Sequence, residues 1–175
     1  MYRSDPESRA GFFLAPGWQI TAHSVSIGYP STSSTAEPPK ASNYSLEGYT
    51  AAFSTVYPII ALPDEIAEKV HEMVGSDGGG LVDCDTRDSK PSLIINLALG
   101  SGYFSFVLDP YDYIRETPKF EFFPRKRKCQ VNVGVLLEQT SDAKYIILGN
   151  VFLARFYTVF DYNNETISCR LHLLK

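Results

Sequence analysis

The clearest pattern of secondary structure in this sequence is found in residues Lys144 to Leu174, KYIILGNVFLARFYTVFDYNNETISCRLHLL. It opens with an apolar run over 145–148, which is typical of a strand buried on both faces. Gly149 ends this run. Asn150 can accept hydrogen bonds from backbone N–H groups, so we predict that it caps a short helix over Val151–Arg155. The first half of the stretch therefore predicts a strand followed directly by one or two helical turns.

The second half of the stretch predicts a β-hairpin. Phe156–Tyr162 is rich in aromatic and β-branched residues, which favour strands. Asn163-Asn164 tolerates the positive φ that a tight hairpin turn requires. After the turn, apolar and polar residues alternate, and one face would carry Ile167, Cys169, Leu171 and Leu173.

Together these residues resemble the closing segment of the pepsin-like aspartic endopeptidases. The resemblance rests on Ile147-Leu148-Gly149, on Val151-Phe152-Leu153 and on Tyr157-Thr158-Val159-Phe160-Asp161. The family usually has Asp where this chain has Asn150. The similarity extends upstream over roughly 12–170, and it implies the fold of a C-terminal lobe. We therefore expect a mainly β fold, a single pepsin-like lobe with one or two short helices.

Length and charge limit the organisation and the partners. The chain has 175 residues, which predicts a single domain over 1–175 and is too short for both lobes of a pepsin-like enzyme. The net charge of −4 gives no electrostatic reason to expect nucleic acid or an anionic membrane. No apolar run approaches the ~20 residues that span a bilayer. We expect neither nucleic acid nor a membrane as a partner.

The cellular location is predicted in two ways. The first residues contain no apolar segment of the signal-peptide type, so the chain as written carries no signal peptide, and it is either cytoplasmic or lacks an upstream piece. The family resemblance instead implies a secreted, vacuolar or lysosomal protein. Two glycosylation sequons, at Asn43 and Asn164, matter only if the chain is secreted.

Other segments give simpler predictions. Residues 29–49 and 115–128 are interpreted as surface loops, the first because it is rich in Ser, Thr and Pro. Leu62–Gly75 has apolar residues at helical spacing and is the clearest helix predicted by the sequence. Within it, His71-Glu72 lacks the second His of a zinc motif, so it is interpreted as an exposed pair. We expect no metal and no cofactor.

An early strand is predicted from Trp18 onward, where apolar residues alternate with polar ones. The alternation loses its phase before Val25, which indicates a β-bulge. His23 lies on the polar side of this strand and is expected to be solvated. Residues 91–108 have the pattern of a β-hairpin that turns at Gly100-Ser101-Gly102.

The segment from Tyr49 to Pro63, YTAAFSTVYPIIALP, carries the functional prediction. In the pepsin-like family, the corresponding strand ends in Asp-Thr-Gly, and its Asp is catalytic. Laid against that pattern, Ser54 occupies the Asp position, Thr55 keeps the Thr, and Val56 replaces the Gly. Val56 also lacks the backbone freedom of glycine. The resemblance thus implies that the catalytic residue of this lobe is absent.

The chemistry of the family explains why this substitution matters. Two carboxylates, one from each lobe, share a proton and activate the attacking water. Ser54 cannot serve as that base. Displaced candidates at Asp85-Thr86-Arg87 and Ser76-Asp77-Gly78 do not have the Asp-Thr/Ser-Gly order. A retroviral-type homodimeric protease would need that order too, so the sequence disfavours it.

The cysteines are interpreted through the same resemblance. Cys84 and Cys129 stand where the family forms a disulfide, which implies a bridge with Cα atoms within about 7 Å of each other. Such a bridge would close a loop of about 45 residues, worth roughly 4 kcal/mol on the chain-entropy model. Cys169 is left unpaired, and we expect it to be a buried, small hydrophobic side chain in the core rather than a nucleophile.

Two hypotheses of function remain open. In the first, the chain is a catalytically silent lobe, either a protein- or peptide-binding module or a degenerate fragment. In the second, it is the C-terminal part of a longer aspartic-type endopeptidase. The missing Asp favours the first. A lone lobe should expose strand edges and apolar residues near Ser54 and Phe12–Leu14. The expected partner is therefore another protein, a second copy of the chain or a missing N-terminal lobe, unless the chain's own N-terminal segment covers this surface.

Overall fold

The computed structural model describes residues 18–29, 41–117, 127–136 and 144–171. Within these ranges the chain forms thirteen strands: β1 (Gln19–Gly28), β2 (Ser42–Ser45), β3 (Tyr49–Phe53), β4 (Ile60–Leu62), β5 (Leu81–Asp83), β6 (Ser92–Leu99), β7 (Gly102–Leu108), β8 (Ile114–Glu116), β9 (Lys128–Val131), β10 (Val133–Val135), β11 (Lys144–Leu148), β12 (Phe156–Asp161) and β13 (Thr166–Leu171). The helices are α1 (Asp64–Val74), α2 (Pro110–Tyr113), α3 (Asn150–Arg155) and a 3₁₀ helix, Cys84–Ser89. The mainly β fold is confirmed.

Three sheets organise the strands. The largest has the order β10-β4-β11-β3-β1-β6-β7, and β2 pairs with β1 beside this path. A second sheet has the order β5-β9-β8, and the third is the β12–β13 hairpin. Ile167 and Cys169 lie on the half-buried face of that hairpin, whereas Ser168 and Arg170 are exposed. The predicted alternation is therefore confirmed over residues 167–170, whereas the side chain of Leu171 and all of Leu173 lie outside the described part of the chain.

The hydrophobic core joins these sheets to α1 and α3. Phe152 of α3 is fully buried. Its ring centroid lies 4.8 Å from that of Phe156, 5.2 Å from Phe106 and 5.8 Å from Phe53. The helix α1 buries Ile66, Ala67, Val70 and Val74, and it ends at Gly75, which has φ 71°. Glycine adopts that left-handed conformation at little cost, so the predicted helix stop is confirmed.

The bulge predicted in β1 is present. The pairing of β1 with β6 shifts register between Ala22 and Ser24. The shift leaves His23 exposed, as expected, and its ring stacks on Tyr103 with 4.6 Å between centroids. The predicted hairpin is formed by β6 and β7.

Four local predictions need correction. Two of them concern the loops. In the loop predicted over 29–49, Ser42–Ser45 form β2, and Leu46 is fully buried. The side chains of β2 are mostly polar, so no strand pattern is visible there in the sequence. The strand forms because its backbone pairs with β1. The loop predicted over 115–128 is also too long, since β8 extends to Glu116 and β9 begins at Lys128. The remaining parts, 30–40 and 118–126, lie outside the described residues.

The other two corrections concern single residues. Gly149, not Asn150, occupies the N-cap position of α3, and Asn150 is the first helical residue. His71 is not simply exposed: it is half-buried, with Nε2 2.9 Å from the carbonyl oxygen of Val133 and Nδ1 2.7 Å from Ser76 Oγ. Because a carbonyl can only accept, Nε2 carries the proton and donates it to Val133. The neighbouring Glu72 is exposed as predicted.

The predicted disulfide is formed. Cys84 and Cys129 are bonded, with 5.1 Å between their Cα atoms, and both are buried. The bridge links the start of the 3₁₀ helix to β9. Cys169 is free and half-buried, and burial raises the pKa of its thiol. None of the described helices is long and apolar enough to cross a membrane.

Candidate functional site

The site lies where the chain passes from β3 to β4. β11 is positioned between these two strands: Leu148 of β11 pairs with Phe53 of β3 in parallel register and with Ile60 of β4 in antiparallel register. Residues 54–59 connect β3 to β4, so they must cross the end of β11. We call this segment the crossover loop.

Gly149 makes the crossing possible. A Cβ atom at this position would meet the carbonyl oxygens of Tyr57 and Ile59. With no side chain in the way, the backbone amide of Asn150 donates to the carbonyl oxygen of Tyr57 at 2.8 Å. At the start of the loop, the amide of Ser54 donates to the carbonyl oxygen of Leu148 at 3.1 Å. Two backbone hydrogen bonds thus hold the crossover loop against β11.

Ser54 directly follows β3, at the position predicted for the catalytic residue. It is half-buried, and its Oγ accepts a hydrogen bond from the amide of Tyr57 at 3.2 Å. The segment from Tyr49 to Pro63 contains no Asp or Glu. Asn150, where the family resemblance leads us to expect Asp, carries a neutral amide. The crossover loop itself therefore offers the hydroxyls of Ser54, Thr55 and Tyr57 and its backbone groups, but no carboxylate that could act as a base.

Thr55 and Val56 form the exposed tip of the crossover loop. Val56 is 74% exposed, although valine is among the residue types that are most often buried. Among the described residues other than glycine, Glu165 alone has a positive φ. Val56 therefore occupies ordinary backbone space, and the loop accommodates it without the left-handed conformation that glycine would favour.

The remaining predicted site residues lie on other elements. The disulfide of Cys84 and Cys129 belongs to the small sheet and the 3₁₀ helix. Asn43 is exposed on β2, and Asn164 is exposed in the turn between β12 and β13. Within the described ranges, no three His, Cys, Asp or Glu side chains are close enough together to hold a metal ion. The structure thus brings Ser54, Thr55 and Val56 together and separates them from the other candidates.

Sequence reasoning missed two contributors to this site. Tyr57 supplies both the amide that binds Ser54 and the carbonyl that binds Asn150. Gly149 was interpreted only as the end of a strand, although its lack of a side chain is what allows the crossing. The sequence signal for this role was the position of Gly149 at the end of the Ile147-Leu148-Gly149 pattern.

Comparison with known proteins agrees with this geometry. The family model described as eukaryotic aspartyl protease matches residues 15–170. A vacuolar aspartic protease of Candida albicans is 30% identical over 122 residues, which cover 67% of this chain and 26% of that protein. Gastricsin of Oryctolagus cuniculus is 30% identical over 135 residues, covering 73% of this chain and 31% of gastricsin.

Cathepsin D of Dictyostelium discoideum is 28% identical over 100 residues, covering 57% of this chain and 24% of that protein. The chain therefore spans about a quarter to a third of the length of these relatives. Because the family model covers most of the chain, and the strand, crossing and helix that carry the resemblance are all formed, the chain belongs to the eukaryotic aspartyl protease family.

Proposed function

We propose that this chain is a catalytically inactive aspartyl protease lobe that binds a protein or a peptide. The observation that carries the proposal is Ser54, which takes the place of the catalytic Asp at the end of β3. A serine hydroxyl keeps its proton throughout the acidic and neutral range, so it cannot share a proton with a second carboxylate or activate water as that pair does. Its Oγ is moreover used to bind the amide of Tyr57.

The binding role is supported by what the crossover loop exposes. Val56 stands at its tip with an apolar side chain that is 74% exposed, and Pro58 beside it is exposed as well. On the β12–β13 hairpin, Tyr157 and Val159 are 60% and 44% exposed. Burial of such apolar side chains against a partner is favourable, at roughly 25 cal/mol per Å² of apolar surface. We expect the partner to be another protein or peptide, a second copy of this chain or an N-terminal lobe.

The location that fits this proposal is an oxidising compartment. The disulfide of Cys84 and Cys129 is stable in secreted and vacuolar proteins and rare in the reducing cytosol. Two relatives are named as vacuolar proteases, of Candida albicans and Neurospora crassa. We therefore propose a secreted, vacuolar or lysosomal protein.

A second candidate function is the C-terminal part of a longer aspartic-type endopeptidase. It is favoured by the fact that the chain spans only 26–31% of relatives such as the vacuolar aspartic protease and gastricsin. Mapping the transcript upstream of Met1 discriminates the two candidates. An upstream lobe with its own Asp-Thr-Gly would favour the longer enzyme, and a transcript without such a lobe would favour the inactive binding lobe.

The binding role is tested by association. Light scattering at micromolar concentration, with hydrogen exchange over residues 10–20 and 50–60, should show a dimer or a protected surface. The predicted contribution of Phe12–Leu14 lies outside the described residues. Val56→Asp should reduce that association or protection, because it places a charge inside the contact. Leu99→Asp is the matched control, since Leu99 is 64% exposed but lies outside the crossover loop. A monomer that exchanges rapidly over both segments would contradict self-association and coverage of this surface, and would favour a degenerate fragment over a binding module.

A further inference from the structure

Asn43 lies at the rim of an open groove of about 690 Å³. We call it the Tyr44 groove, and its lining includes Asn43, Tyr44, Tyr49, Pro63, Asp64 and Glu65. Its volume is within the roughly 300–1,000 Å³ of small-molecule sites. Tyr49 pairs with Lys144 at the start of β11, whereas the crossover loop meets the other end of that strand at Leu148. The Tyr44 groove is thus separate from the site described above.

The amide of Asn43 is held in a defined direction. Ser26, its register partner on β1, donates from Oγ to Asn43 Oδ1 at 2.8 Å. Since Oδ1 and Nδ2 lie on opposite sides of the carboxamide, this bond directs Nδ2 away from β1. Among the described strands β2 pairs with β1 alone, and Asn43 is exposed. The nitrogen of the Asn43-Tyr44-Ser45 sequon therefore points away from β1 beside the groove, on a side where no described strand pairs with β2.

We propose that Asn43 carries an N-linked glycan whose first N-acetylglucosamine units lie in the Tyr44 groove. The inference rests on the oxidising, secretory location proposed above. In the modification, Asn43 Nδ2 forms a bond to the anomeric carbon of an oligosaccharide carried on a lipid pyrophosphate. The bond from that carbon to the pyrophosphate oxygen breaks, the lipid pyrophosphate leaves, and one amide proton passes to a base of the transferase.

The chemistry of the groove fits a sugar. The rings of Tyr44 and Tyr49 are half-buried, and flat aromatic surfaces of this kind can pack against the C–H face of a pyranose. Lys144 Nζ lies over one face of Tyr49, 5.5 Å from the ring centroid, so that ring has only its other face to offer. Asp64 and Glu65 are exposed in the first turn of α1, and within the described part of the chain no hydrogen bond or ion pair is formed to their side-chain carboxylates. Their carboxylates can accept hydrogen bonds from sugar hydroxyl and acetamido groups, and such charge-assisted bonds are the stronger kind.

The other sequon has a different setting. Asn164 Nδ2 already donates to Asp161 Oδ2 at 2.7 Å, and the backbone amide of Asn164 donates to Asp161 Oδ1 at 3.1 Å. These bonds close the turn between β12 and β13. A glycan on Asn164 would project from that turn, so it provides a reference site within the same molecule.

Occupancy is tested by secreting the chain from a eukaryotic host and analysing its peptides by mass spectrometry. The expected result is a glycan on Asn43 that is lost in Ser45→Ala, which breaks the sequon while leaving the asparagine in place. Ser45→Thr preserves the hydroxyl and the sequon, so it should keep the glycan. An unmodified Asn43 in secreted, disulfide-bonded protein would overturn the proposal.

Docking in the groove is tested by the rate at which an amidase that cleaves the Asn–sugar bond releases the glycan from Asn43. Release from the folded chain should be slower than from the unfolded chain. Asp64→Asn with Glu65→Gln should accelerate it roughly three- to tenfold, the factor expected from one lost hydrogen bond. Glu47→Gln is the control, because Glu47 is exposed but does not line the groove. If the double variant, the Glu47→Gln control and the wild-type sequence all released the glycan at the same rate, docking in the groove would be overturned. Peptidase activity is measured independently, so a failure here leaves the proposed inactivity untouched.

Discussion

Replacement of Gly149 by alanine tests how the crossover loop is held against β11. Gly149 has φ −85° and ψ −161°, which alanine can adopt, so the cost of the substitution is steric. The added Cβ would meet the carbonyl oxygens of Tyr57 and Ile59. Both are backbone atoms, so relief requires movement of the loop rather than rotation of a side chain.

The expected magnitude follows from these contacts. Overpacking costs about 1–3 kcal/mol, and loss of the 2.8 Å hydrogen bond from Asn150 to Tyr57 adds about 0.5–1.5 kcal/mol. Gly149→Ala should therefore lower the free energy of unfolding by about 2–4 kcal/mol in urea denaturation. Gly78→Ala is the matched control, because a Cβ there has no described atom within 4 Å. It should change stability by less than about 1 kcal/mol. If Gly149→Ala were as stable as Gly78→Ala, the crossing would not depend on the glycine.

Two further predictions concern the disulfide and the effect of pH. The double variant Cys84→Ser with Cys129→Ser opens a loop of 45 residues and should lose roughly 4 kcal/mol of unfolding free energy. The control Cys169→Ser should keep the urea midpoint nearly unchanged. Equal urea midpoints for the two would refute the stabilising role of the disulfide. Hydrogen bonds from the side chain and backbone of Asn164 hold the pKa of Asp161 below its usual value. A lowered folded-state pKa contributes stability that is present above the unfolded pKa of about 3.9 and is lost as pH falls through the folded value. Thermal unfolding between pH 5 and 2 should therefore be less pH-dependent in Asp161→Asn, and identical profiles would contradict the assignment.

The sequence predicted those features that depend on local pattern. The alternation through Ile167 and Cys169 predicted which face of β13 is half-buried. The phase slip before Val25 predicted the bulge in β1. The helix stop at Gly75 was visible because left-handed glycine ends helices. Residues near Ser54 were located through the family pattern, not through periodicity.

Features that depend on distant contacts were missed. The ring of His71 binds Val133, which is 62 residues away, and no local pattern reveals that contact. β2 is a polar strand because β1 supplies its backbone partners. Gly149, rather than Asn150, is the N-cap residue of α3, and the carbonyl oxygens of Tyr57 and Ile59 in the crossover loop lie against it. Each miss arises where tertiary packing overrides the preference of the residue itself.

The proposed catalytic silence of the lobe is tested by a peptidase assay. The purified, disulfide-bonded chain is incubated with a denatured protein substrate between pH 2 and 7, and peptide release is followed by mass spectrometry with and without pepstatin. Because we propose that Ser54 replaces the catalytic carboxylate, we expect no pepstatin-sensitive cleavage at any pH. Cleavage that pepstatin inhibits and that Ser54→Ala abolishes would contradict the account.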